Sequence, residues 1–416
     1  METVKFTLRI VRKRPLRSLL TVLQVALGVW IVAIILSLNF QASGRIDDAK
    51  RTYGGSLAKI VVAQYEEIAG YRFMMSSASN LRYGDLARVQ ESDLIENAFI
   101  YRDLWEQQVT VRGLTYLVKA AAETTSEYAD AIGLELVEGQ FFTKADEQQR
   151  SRVVLISEVV AEQLFPNQSA LGQILDLGDF GEGSWEFEII GVYKLYPPLL
   201  DLFITQPHLI FPLDATRTWM SLGDSEPLYH SLYIQTKPDR VYEAVADVQI
   251  LLADRATDDL EVQGEYFEDS TSYLSDQVQD ITLILGAFAF IAVLVSAIGI
   301  LSIMLVSVVE RTREIGLRQA LGATKGVIIW QILNESLVFS CVGSALGLGA
   351  ALLSANTMLT LIMAQATYVK FGSVGGLHPL AAALAVLVTI LMGQLFGLYP
   401  AWQAAKMTPV EALKLG

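Results

Sequence analysis

Hydrophobic residues are not spread evenly along this chain; they collect in runs from which charge is absent. No charged residue stands between Arg17 and Arg45, between Asp280 and Glu310, or between Lys370 and Lys406, and only Glu335 interrupts the stretch from Lys325 to Lys370. A hydrocarbon core is crossed by about 20 helical residues. Each gap therefore predicts a membrane span, at 18–39, 282–309, 327–353 and 378–398. Residues 41–280 have a different rhythm. The run 153–156 is β-branched, Ser157 suits a helix N-cap, and Val160, Ala161, Leu164 and Phe165 follow on one side before Pro166 stops the helix. Within 185–193, Trp185, Phe187 and Ile189 alternate with Glu186 and Glu188 as in a half-buried strand. Val241, Ala244, Val245, Val248, Leu251 and Leu252 keep helical spacing. The expected fold is an α-helical membrane protein with four transmembrane helices and a large mixed α/β extracytoplasmic domain inserted between the first and second. Near 240 residues is enough for one core or for two subdomains. Residues 271–280 contain neither Pro nor Gly, so a helix is expected to continue from that domain into the second span as a stalk.

Composition sharpens this division. Hydrophobic residues make up 52% of the 416 and charged residues only 18%, which argues against disorder, a collagen-like repeat or a disulfide scaffold. The single cysteine, Cys341, cannot form an internal disulfide and reads as a small apolar packer in the third span. The formal charge of −14 argues against generic nucleic-acid binding. It also averages two unlike parts: residues 41–280 hold 18 basic and 40 acidic residues, a net of −22, and the rest of the chain carries +8. The basic residues lie beside the spans, at Lys5, Arg9, Arg12, Lys13, Arg14 and Arg17, at Arg311, Arg313, Arg318 and Lys325, and at Lys406 and Lys414. The short loop after the third span offers only Lys370. By the positive-inside rule the tails 1–17 and 401–416 and the loop 310–325 are cytoplasmic, and 41–280 is outside. A cleaved signal peptide is the other reading of the N-terminus, with Ala42, Ser43 and Gly44 at the cleavage site. The uncharged run exceeds the roughly 7–15 residues of a signal h-region, and three spans follow, so a retained anchor is expected.

No catalytic constellation stands out. His208, His230 and His378 form no HExxH, and the scattered carboxylates read as a solvated acidic surface. The loop 178–183 is glycine-rich, but its acidic residues would repel a phosphate, and a hairpin loop is expected. No GxxxxGK[ST] phosphate loop occurs in the 416 residues. The segment 310–325, ERTREIGLRQALGATK, is the most informative. Glu314 precedes Arg318 by four residues, the favourable order for a helical ion pair, and Ile315, Leu317, Ala320 and Leu321 supply an apolar surface. Gly322 suits a C′ position and Thr324 the next N-cap. A short amphipathic helix at the cytoplasmic face results, either lying on the membrane or docking a partner. Asn334 and Glu335 form a polar patch inside the third span, read as helix packing or snorkelling rather than a proton relay. Gly343, Ser344, Gly347 and Gly349 make a small-residue seam, or simply reflect the frequency of glycine in membrane helices.

Segment 310–325 resembles the loop after the second span in the MacB/FtsX-like permease family of bacterial ABC transporters, of the mechanotransmission type. The end of the chain, 397–413, is similar as well, with Pro400, Ala401, Ala404, Pro409, Ala412 and Leu413 placed as in the family, and so is the entry 14–23. Residues 139–192, through Gly139, Pro166, Gly172 and Gly191, resemble the family's periplasmic core domain. The resemblance implies a permease, not an enzyme, in a bacterial plasma membrane, paired with a second copy or a related permease. It implies a separate cytoplasmic ABC ATPase carrying ATP and Mg, docked on a coupling helix that here comprises Arg311, Arg313, Glu314, Ile315, Gly316, Leu317, Arg318, Leu321 and Gly322. No cofactor is expected on this chain, and its remaining partners would be membrane lipid and an extracytoplasmic adaptor or lipoprotein, with no nucleic acid. Export or extraction of a lipophilic, peptide-like or lipoprotein substrate is the function implied. Activation of a cell-wall hydrolase by the outer domain, as in FtsX-type relatives, is the alternative.

Overall fold

The computed structural model describes residues 15–68, 71–104, 106–179, 184–217, 226–366 and 375–408. The basic residues before Pro15, the loop residues 180–183, Lys370, Pro409, Ala412, Leu413 and Lys414 lie outside them. The chain divides into two compact units, one of residues Ile46–Leu274 and one comprising the segments on either side.

In the unit Ile46–Leu274, β-branched and alternating segments become strands and the amphipathic runs cover them. The strands are β1 (Leu57–Ile68), β2 (Tyr71–Ala78), β3 (Ile95–Leu104), β4 (Gln107–Val111), β5 (Leu114–Val118), β6 (Ala121–Thr124), β7 (Leu136–Gly139), β8 (Val153–Ser157), β9 (Ile174–Asp179), β10 (Ser184–Tyr193), β11 (Leu209–Pro212), β12 (Ser231–Thr236) and β13 (Leu260–Tyr266). They pair in the order β13-β1-β12-β3-β6-β11-β8-β10-β9-β4-β5, with β2 on β1 and β7 on β10. Among the described residues, the parallel pairs are β8 with β10 and β6 with β11. After the first described helix, α1 (Pro15–Ala49), the helices of this unit among the described residues are α2 (Asp85–Val89), α3 (Tyr128–Ile132), α4 (Lys144–Gln149), α5 (Glu158–Leu164) and α6 (Val241–Leu251).

Two buried clusters share this sheet. Val241, Ala244, Val245 and Val248 of α6, with Leu86 and Val89 of α2, cover Ile60, Val62, Ile100 and Ile234. Val160 and Leu164 of α5 pack instead with Ile156, Phe187, Ile189 and Phe211. Strand β3 joins the two halves, since Ile95–Ile100 pairs with β12 and Tyr101–Leu104 with β6. The choice between one core and two subdomains thus resolves as two cores on one continuous sheet. Ser157 caps α5 as expected, its Oγ accepting from the Val160 amide at 3.3 Å. Strands β9 and β10 pair antiparallel on either side of the glycine-rich loop.

The carboxylates are not all solvated. Asp85 is fully buried and meets Arg255 at 2.9 Å. Glu123, also fully buried, accepts from the Thr216 amide at 2.7 Å and from Arg102. Burial and the neighbouring Arg217 guanidinium push the Arg102 pKa down to about 10. Glu147 is buried too, which raises its pKa, while its Oε2 accepts the Ser126 amide at 2.8 Å. Each of these buried acids is thus faced by donors or a cation, as burial of a carboxyl group requires.

The other unit is built from long apolar helices, α1 (Pro15–Ala49) up to Arg45, α7 (Phe267–Glu310) from Ser275, α9 (Lys325–Ala366) and α10 (Pro379–Lys406), with the short α8 (Thr312–Ala320) following α7. Among the described residues these four are long and apolar enough to cross a membrane. Helix α7 runs unbroken for 44 residues, so the segment 271–280 is helical. Side chains of small volume set the packing. Gly343 and Gly347 of α9 lie one turn apart against Val22, Val25, Ala26 and Val29 of α1. Ser296 of α7 donates to the Gln24 carbonyl of α1 at 2.7 Å. Gln394 of α10 donates to Ser336 of α9 at 3.1 Å, and Trp30 donates to Ser354 at 2.7 Å.

The seam is therefore real at Gly343, Ser344 and Gly347, where Ser344 is buried. It does not extend to Gly349, which has nothing within 4 Å of where its Cβ would stand. Gly349 is two residues past Gly347, and on a helix of 3.6 residues per turn it points well away from α1. Cys341 departs from expectation in the same way: it is exposed on the outer surface of α9 and packs no interior.

Candidate functional site: the loop helix and the polar ladder beneath it

The helical run of α7 ends at Glu310 because Arg311 leaves helical geometry, with φ −114° and ψ 13°. Helix α8 restarts at once: the Ile315 amide donates to the Arg311 carbonyl at 3.0 Å, and the Thr312 hydroxyl to the Val309 carbonyl at 2.8 Å. Its end is a Schellman closure. The Ala323 amide donates to the Arg318 carbonyl and the Gly322 amide to the Gln319 carbonyl, both at 3.0 Å, with Gly322 at φ +98°. That left-handed position favours glycine, as the sequence indicated. Helix α9 then begins at Lys325, immediately after Thr324.

The expected apolar surface of α8 divides into two. Ile315 is half-buried against a cluster that includes Ile328, Ile332 and Ala404, and Gly316 is buried. Leu317 and Leu321, one turn apart, face outward at 55% and 81% exposure. Arg313, Glu314, Ala320 and Gly322 are also exposed. The expected ion pair between Glu314 and Arg318 is absent among the described residues. Arg318 instead donates to Gln331 Oε1 on α9 at 2.5 Å, because the tight turn at Gly322 folds α9 back beside α8. Gln319 reaches the Ala405 carbonyl at 3.4 Å.

Glu335 and Arg311 come together. Arg311 Nη1 lies 3.0 Å from Glu335 Oε1, with side-chain exposures of 20% and 6%. The cation that faces Glu335 is thus supplied by the loop. Asn334, its neighbour, is half-buried. Together with Met304, Ser307, Gln331 and Ile332, this pair contributes to the wall of a cavity of about 20 Å³, enough for roughly one water. Sequence reasoning missed Gln331, an uncharged residue in an apolar run. Its one signal was its place a single turn before Glu335 on α9.

Comparisons with known proteins agree along nearly the whole chain. Residues 18–249 match the model of the MacB-like periplasmic core domain, and residues 286–409 that of the FtsX-like permease C-terminal domain. The chain is similar to the uncharacterized ABC transporter permease YknZ of Bacillus subtilis, at 28% identity over all of this chain and 99% of the relative. It is similar, at 27% identity over 97% of its length, to the macrolide export ATP-binding/permease protein MacB of Nitrobacter winogradskyi, of which it spans 58%. Among solved structures, the periplasmic region of MacB from Actinobacillus actinomycetemcomitans aligns with a TM-score of 0.42 at 16% identity, covering 55% of this chain and 97% of that one. Two domain models in the family's order, a permease relative of equal extent and four apolar helices lead to one conclusion: the chain belongs to the MacB/FtsX-like family of ABC transporter permeases, multi-pass proteins of the plasma membrane.

Proposed function

We propose that this chain is the membrane subunit of an ATP-driven exporter of the mechanotransmission type. A separate cytoplasmic ATPase carries ATP and Mg and docks on α8, and two permeases work as a pair. In this reading both termini and α8 face the cytoplasm and Ile46–Leu274 lies outside, in accord with the basic residues beside the spans. The substrate class is lipophilic, peptide-like or a lipoprotein, handed on outside the membrane with an adaptor or lipoprotein partner. The 229-residue inserted unit favours export over activation of a cell-wall hydrolase, for which family relatives use a smaller domain.

The observation that carries the reading is the outward pair Leu317 and Leu321 on a helix whose other face is anchored to α9 and α10. Two exposed leucines one turn apart beside Arg313 suit a groove on a partner, since apolar anchors rimmed by charge dominate such contacts. Leu317→Glu with Leu321→Glu is expected to abolish co-purification of the ATPase, a loss of at least about 30-fold for an anchor worth roughly 2 kcal/mol. Unchanged co-purification would reject α8 as the docking element.

A further inference from the structure

Helix α8 has two neighbours in sequence and is fastened unequally to them. Toward α7 it has a joint of one non-helical residue, Arg311, spanned by the Thr312 hydroxyl's bond to the Val309 carbonyl at 2.8 Å. Toward α9 it has two polar rungs, Arg311 to Glu335 at 3.0 Å and Arg318 to Gln331 at 2.5 Å. The rungs run in opposite chain directions, as they must in a helical hairpin: the residue before α8 reaches the later position on α9, and one near its end reaches the earlier position. Ile315 packs between them against a cluster that holds Met304 and Val308 of α7 as well as Ile328 and Ile332 of α9. Glu335 is nearly sealed, and a carboxylate there requires its cation, so the Arg311 rung does not exchange freely with water.

We propose that Arg311 and Glu335, seconded by Arg318 and Gln331, are positioning residues that fasten the loop helix to the third membrane helix. A push on α8 is then delivered to α9 through these polar bonds, and to α7 across the joint at Arg311 and through the apolar contacts of Ile315. This assignment rests on reading α8 as the ATPase-docking helix, but the fastening itself is testable without the ATPase.

Spin-label distances in the full chain in nanodiscs, with Cys341→Ser as background, read it out. One pair joins Ala320→Cys to Trp330→Cys across α8 and α9; the other joins Ala320→Cys to Val309→Cys across α8 and α7. All three sites are exposed, and none belongs to the ladder or the docking pair. In the permease alone the 320–330 distribution is expected to be narrow, to lose that narrowness in Glu335→Gln and in Arg311→Met, and to keep it in Arg311→Lys. A merely space-filling role would leave Glu335→Gln unchanged and would not be rescued by lysine, and either result overturns the fastening. In the complex with ATPase, vanadate trapping is expected to shift the 320–309 distance and leave 320–330 fixed. A shift in 320–330, or a fixed 320–309 distance, overturns the delivery to α9 through the polar bonds. Failure of the ATPase to co-purify with the unsubstituted chain rejects the docking reading alone, because the permease-only measurement still decides the ladder.

Discussion

Replacing Gly347 by alanine adds a single methyl group, and the structure states what it would meet. The new Cβ would press on the Ala26 carbonyl oxygen of α1 and stand 2.9 Å from the Val29 Cβ and 3.1 Å from the Ala26 carbonyl carbon. None of these atoms is the end of a flexible side chain, so α1 and α9 have to separate. Overpacking of this kind costs about 1–3 kcal/mol. Alanine also gains roughly 1 kcal/mol over glycine as a helix former, which would obscure the loss. Gly349→Ala removes that ambiguity, because it makes the same change in propensity on the same helix with nothing within 4 Å. The difference between the two variants isolates the contact with α1. It is expected to be about 1–3 kcal/mol, or roughly 5- to 150-fold in the unfolding equilibrium. Sodium dodecyl sulfate titration of the purified chain in mixed micelles, followed by far-ultraviolet ellipticity, gives the two midpoints under identical conditions. Coincident midpoints would refute the close approach of α1 and α9 at Gly347 and the reasoning built on it.

Two other perturbations test separate features. Burial lowers the pKa of His208, whose Nδ1 lies 2.9 Å from the hydroxyl of the helix cap Ser157, against a smaller opposing effect of Asp201. A histidine with a depressed folded-state pKa contributes stability that is present above about pH 6.5 and is lost as the pH falls through the folded value. Thermal melts of the full chain between about pH 7.5 and 5 should therefore fall less steeply in His208→Gln than in the unsubstituted protein, and parallel curves would count against the linkage. In α7, Leu283 is exposed and sits within the unbroken run Phe267–Glu310. Leu283→Pro removes a hydrogen bond and kinks the helix, at a cost of about 3 kcal/mol or more. Transport should be lost while the ATPase still co-purifies, and full transport would contradict a stalk that carries motion.

Local features were legible wherever one residue type answers one backbone demand. Ser157 caps α5 and Gly322 closes α8 at positive φ, because an N-cap oxygen and a left-handed C′ are requirements that few residues meet. The buried faces of α6 and β10 followed from periods of 3.6 and 2. Pairings over long sequence separations were not legible. The i, i+4 rule joined Glu314 to Arg318, yet Arg318 turns to Gln331, and Arg311 finds Glu335 from 24 residues away. The acidic block looked uniformly solvated, yet Asp85, Glu123 and Glu147 are buried where guanidinium groups, backbone amides or hydroxyls surround them.

The sequence by itself determined that four apolar runs are long enough to cross a membrane, that 41–280 holds no such run, and that a capped helix interrupts the basic loop at 310–325. These depend on local composition, for which a water-to-hydrocarbon transfer and a backbone cap supply sufficient rules. Only the tertiary structure decided that β3 carries two cores on one sheet, that Gly347 but not Gly349 meets α1, and that Leu317 and Ile315 face opposite ways. Each of these depends on which helix or strand arrives opposite, and that is fixed by packing among distant segments rather than by the preferences of any one of them.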